Sequence, residues 1–150
     1  MMTYPQLLAR VIDDGIAAAR RDYADQPRHL EGAVAGFAAC RDKAPVELLE
    51  IYTRAERVAH EHMRDDAPVE VYWQHRCYAM EVEWVCNVIS MAMVQDGNRP
   101  LLPWLPTARG ALKYAEIVGV TGPSDHGDEG DSRGGAGGTI DPASFPKKTS

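Results

Sequence analysis

Residues 68–95 read PVEVYWQHRCYAMEVEWVCNVISMAMVQ, and this stretch decides the fold class. Trp73, Met80, Trp84 and Met91 recur at spacings of 7, 4 and 7. At 100° per residue they fall within about 20° of one line along a helix. Tyr78, Val82, Cys86, Ile89 and Met93 fall on the opposite side, so the second half is apolar nearly all round. A helix of that kind is central and covered by neighbours on several sides. Its longest near-apolar run, Val82 to Val94, spans about 13 residues and is broken by Glu83, Asn87 and Ser90. A bilayer span needs about 20 apolar residues. The stretch therefore reads as a buried core helix, and no membrane partner is expected.

Working outward, Pro5, Pro45 and Pro68 stand where amphipathic runs begin, and Pro27 lies just before another. Proline in a first helical turn sacrifices no hydrogen bond. The runs place helices at about 5–23, 28–41 and 45–64. Thr3 and Gln6 have capping-box spacing for the first, and Leu7, Leu8, Val11, Ile12 and Ile16 follow at helical intervals. Gly15 weakens that helix by ~1 kcal/mol relative to Ala and marks where it could break. In the second helix Leu30, Val34 and Phe37 form an apolar stripe. Gly32, Gly36 and Cys40 form a second stripe of small residues, which lets another helix approach closely. The third helix turns Leu48, Ile51, Tyr52, Ala55, Val58 and Ala59 inward and a charged face outward. Asp65 and Asp66 offer caps for the fourth helix.

Downstream, the loop GNRPLLPWLP (residues 97–106) is rich in Pro and bulky apolar residues and is expected to pack over the core. Thr107 is a cap candidate for a fifth helix at about 107–118, which Gly119 would end. No stretch alternates with period two. The expected fold is all-α, a single bundle of about five helices with a central buried fourth helix.

The 150 residues amount to one domain. Lys and Arg total 16 against 22 for Asp and Glu, a net charge of −6. That balance argues against a nucleic-acid partner, because phosphate binding needs a basic excess. Cys40, Cys77 and Cys86 are odd in number and lack framework spacing, and the N-terminus lacks a signal-peptide pattern. They read as reduced core thiols of a cytoplasmic protein. Residues 121–150 hold seven of the thirteen Gly, and their bulky apolar residues are Ile140 and Phe145. Such composition predicts a disordered tail after a bundle domain at 1–120. Within it, plain solubilising disorder is the preferred reading; the sharper reading makes residues 139–148 a tethered docking segment, with Ile140, Phe145, Lys147 and Lys148 as partner-binding candidates.

Motifs for chemistry are few. No P-loop, dinucleotide glycine motif, nucleophile elbow or CxxC is present, so no catalytic residue is assigned. Gly130–Gly135 resembles a protease serine loop but Arg133 interrupts it. Asp125, Asp128 and Asp131 have the wrong spacing for an EF-hand. Gly134–Asp141 is one copy of a β-roll-like repeat, and one copy cannot stack. Glu56 and His60 share a helix face, whereas His60 and His62 do not, nor do His75 and Cys77. Two ligands do not make a site, so neither a metal nor another cofactor is expected.

One polar stripe remains. Arg76, Glu83 and Asn87 line up on the otherwise apolar fourth helix. A buried Glu or Arg is costly unless paired, so an internal polar network is the preferred reading. The sharper reading is a ligand pocket of Trp73, Arg76, Glu83, Trp84 and Asn87. Arg99, Arg109 and Lys113 could form a modest basic face for an acidic partner. The functional expectation is a non-enzymatic protein-interaction or assembly module, pairing with another protein or with itself as a homodimer. The alternative is a small-molecule-binding helical bundle, or an all-α enzyme, with its polar pocket on the fourth helix.

Overall fold

The computed structural model describes residues 1–64, 66–104, 106–119 and 140–146. It is an all-α bundle of α1 (Tyr4–Asp22), α2 (Pro27–Ala39), α3 (Pro45–Arg64), α4 (Val69–Gln95) and α5 (Ala108–Val118). α4 packs against all four of the others, as its all-round apolar pattern requires. Val82, Val85, Cys86, Val88 and Ile89 on α4 are buried. By length and composition α4 is apolar enough to cross a membrane; 56% of its most apolar window is buried inside the bundle.

The helix ends follow local chemistry. Thr3 Oγ1 accepts from Gln6 N, and Gln6 Oε1 accepts from Thr3 N at 2.9 Å, completing the capping box. α1 runs unbroken through Gly15, where an added Cβ would lie 2.2 Å from the Phe37 ring. The glycine is a seat for Phe37 of α2 and not a break. Thr107 caps α5 by accepting from Gly110 N, and Gly119 ends it in the left-handed region at φ 82°. The expected Asp cap of α4 is corrected: Pro68 occupies the N-cap position without a side-chain bond. Asp66 sits two residues earlier with φ 55° in the connecting turn, and Asp65 lies outside the described residues.

The small-residue stripe of α2 makes the tightest crossing in the fold. A Cβ on Gly32 would lie 2.0 Å from the carbonyl oxygen of Gln74, and one on Gly36 2.7 Å from that of Tyr78. The α2 backbone therefore rests directly on the α4 backbone. All three cysteines are free and buried. Burial pushes the Cys40 thiol up to about 12 and raises Cys77 and Cys86 as well, so all three stay protonated and unreactive. The loop after α4 folds back along it: Leu101 N donates to Ser90 Oγ at 3.0 Å, and Leu101 and Leu102 pack against the core.

The expectation of one disordered tail is corrected for residues 140–146. They include a short 3-10 turn, α6 (Pro142–Ser144), and Ile140 is only 4% exposed within the core. Two apolar residues that looked isolated in the sequence find an apolar seat at the other end of the chain. Lys147 and Lys148 lie outside the described residues, as do Gly130–Gly135, Asp125–Asp131 and most of the β-roll-like stretch.

Candidate functional site

The seat of residues 140–146 is built around the start of α1. The capping box satisfies Gln6 N and Thr3 N but leaves the first-turn amide of Tyr4 without an intrahelical partner. Ser144 Oγ supplies it, accepting from Tyr4 N at 2.6 Å while donating to Asp141 O at 2.6 Å. Just before the helix, Met2 pairs with Ile140 as a single parallel β-bridge, and Asp141 N donates to Met2 O at 2.8 Å. Asp141 Oδ1 accepts from Ala143 N and so holds the turn that presents Ser144. The Phe145 ring lies 5.0 Å from the Tyr4 ring, tilted by 40°. Tyr4 is itself fixed, its hydroxyl donating to Lys43 O at 2.6 Å, and burial raises its pKa. Beneath the segment a cavity of about 190 Å³ is bounded by Met1, Ala92, Gln95, Asp96, Ile140 and Pro142.

The segment, a bridged residue followed by a 3-10 turn, is held by four kinds of contact. One backbone pairing sets direction, an aliphatic residue enters the core, a hydroxyl caps a helix, and an aromatic ring covers a tyrosine. Ile140 and Phe145 were legible in the sequence as anchors. Their receptor, Met2 and Tyr4, was not. The one local signal was the unsatisfied first-turn amide, and every helix has such groups.

The structure disperses the five residues of the expected pocket. Trp73 lies near the N-terminus of α4, stacked on His29 at 5.2 Å and edge-on to Tyr72. Arg76 Nη1 pairs with Glu56 Oε2 of α3 at 3.1 Å. Glu83 accepts from the Tyr52 hydroxyl at 3.3 Å. Asn87 Oδ1 accepts from Thr107 N at 2.7 Å, while its amide donates to Thr107 Oγ1. Trp84 stands edge-on to Phe37, with the Lys113 ammonium 6.0 Å from its ring, and its buried Nε1 has no hydrogen-bond partner among the described residues. Each polar group of the stripe is thus paired by a residue from elsewhere in the chain, as the structural reading expected, with Tyr52 and not Arg76 as the partner of Glu83. The residues align along α4, but α4 changes neighbours along its length, so each ties down a different element.

Other expectations also resolve into structure. Glu56 takes His60 at 3.4 Å as well as Arg76, so its carboxylate already faces a cation. Among the described residues no three His, Cys, Asp or Glu side chains gather as metal ligands would. Lys113 is bound to Asp14 and Glu116 at 3.1 and 2.9 Å, which removes it from the proposed basic face. The sequence reading missed Glu81. Burial lifts its carboxyl to about 7; the charge of Arg109 opposes this and that of Asp22 adds to it. Comparison of the chain with protein-family models, with curated proteins and with solved structures finds no match to any of them.

Proposed function

We propose that this chain is a non-enzymatic protein-interaction module with a peptide-docking site at the start of α1, a site its own residues 140–146 occupy. One observation carries the reading: the segment is held by a backbone bridge, a capping hydroxyl, a buried Ile140 and a ring contact from Phe145. A bundle that seats one such peptide has the surface to seat another. The partner would present an aliphatic residue, a serine four positions on and an aromatic residue next, with a 3-10 turn presenting the serine. Residues 120–139 join the segment to α5, so it competes as a tethered ligand. A tether of that length holds its ligand at an effective concentration on the order of mM.

The test uses the full chain carrying Ile140→Asp and Phe145→Ala together, which removes both anchors of the internal ligand. A fluorescent peptide of residues 139–148 is titrated and its anisotropy followed. The anchor variant is expected to bind the peptide at least about tenfold more tightly than the wild-type chain, because its site is vacant. A scrambled peptide is the control. Equal binding by scrambled and native peptides, or none by a folded anchor variant, refutes the reading.

A further inference from the structure

We infer that the cleft between α2, α3 and α4 is a binding site for a small monocarboxylate with an apolar body. α2 and α3 each pack on α4 but diverge from one another, leaving a half-open cleft of about 270 Å³. That is at the small end of ligand pockets, which run from about 300 Å³ upward. Small side chains, Ala35 and Ala55 among them, keep it open, and its lining is mostly apolar.

Four polar side chains border it, Arg54, Gln74, His75 and Tyr78; Gln74 Oε1 already accepts from Arg28 Nη1 at 3.3 Å, and the other three offer donors. Arg54 forms no ion pair or hydrogen bond among the described residues, although Glu56 two positions on takes both Arg76 and His60. The half-buried Tyr78 hydroxyl likewise has no partner there, and it is close enough to Arg54 for that charge to oppose the rise that burial gives its pKa. His75 stacks on His62 with ring centroids 4.0 Å apart and makes no hydrogen bond among the described residues. Burial and the neighbouring His62 lower its pKa, which leaves a neutral ring with one N–H. The lining contains no Asp or Glu, in a chain whose net charge is −6. An unpaired guanidinium with a phenol and an imidazole beside an apolar wall is complementary to a carboxylate carried on a ring or short chain. A phosphate would match the donors but leave the apolar wall uncovered.

The site is distinct from the peptide seat and does not depend on it. Benzoate is the probe, titrated calorimetrically into the full chain beside its uncharged counterpart benzyl alcohol. Binding of a ligand this small is expected with Kd on the order of 1 mM or below. Benzyl alcohol is expected to bind at least about tenfold more weakly, reflecting the lost charge-assisted bonds. Arg54→Gln should remove that preference. Ala35 is exposed on α2, so Ala35→Leu should fill the cleft and abolish binding while the bundle stays folded by circular dichroism. Equal affinity for acid and alcohol, benzoate affinity unchanged in Arg54→Gln, or no heat at about 10 mM benzoate overturns the proposal.

Discussion

Gly32→Ala sets two forces against each other. Taken alone, the change stabilises α2, since Ala is favoured over Gly in a helix interior by ~1 kcal/mol. Across the interface the new Cβ would lie 2.0 Å from Gln74 O and 2.9 Å from Gln74 C, both backbone atoms of α4. No rotamer change can clear them. Ordinary contact begins at 3.4 Å, so α2 must withdraw by roughly 1.4 Å at this point. A gap near 1 Å forfeits a quarter to a half of the dispersion energy of each contact that opens. Those contacts include the buried Ala33 and Phe37 of α2 and Cys40 at its C-terminal cap. The net effect is expected to be a loss of about 3 kcal/mol, at the high end for overpacking because backbone meets backbone. For a chain of this size that lowers Tm by roughly 10 °C. Urea denaturation followed by circular dichroism measures it, with Gly36→Ala as an internal comparison. There the closest approach is 2.7 Å, to Tyr78 O, so the loss should be smaller. A neutral or stabilised Gly32→Ala, or a larger loss at Gly36, refutes direct contact between the α2 and α4 backbones.

Two further outcomes follow from the polar groups of α4. The folded pKa of Glu81, about 7, lies above its ordinary 4.5, so the native state holds the proton more tightly. Stability contributed by this group is then present below pH 4.5 and falls as pH rises toward 7. Glu81→Gln should gain on the wild type across that window by about 2 kcal/mol, after a discount for partial solvent screening. Melting curves of both proteins at pH 4.5 and pH 8 check it, and a difference independent of pH counts against a desolvated carboxyl. Asn87→Ala removes the acceptor of Thr107 N and leaves that amide near a buried position. A loss of about 2 kcal/mol is expected, together with faster amide exchange at the start of α5 than in α1. Uniform acceleration across all helices would show that Asn87 is not a local tie.

Local patterns made most of the architecture readable. Pro5, Pro27 and Pro45, the Thr3–Gln6 box, Thr107 and Gly119 act within a few residues of themselves, so the helix ends they set appear wherever the chain goes. The all-round apolarity of α4 demanded neighbours on every side, which alone placed it at the centre. The small-residue stripe of α2 announced a close crossing, though not that α4 was its partner.

Only the tertiary structure decided who meets whom. Arg76, Glu83 and Asn87 share one line on α4, yet each meets a different partner. The side chains opposite them come from Glu56, Tyr52 and Thr107, whose positions depend on how α3 and the loop before α5 cross α4. The same holds for Ser144 and Tyr4, which lie 140 positions apart. Periodicity and capping report forces that decay over a turn or two of chain. Pairings across the bundle depend on where separate helices settle, and the cleft beside Arg54 exists only because α2 and α3 diverge after both have packed on α4.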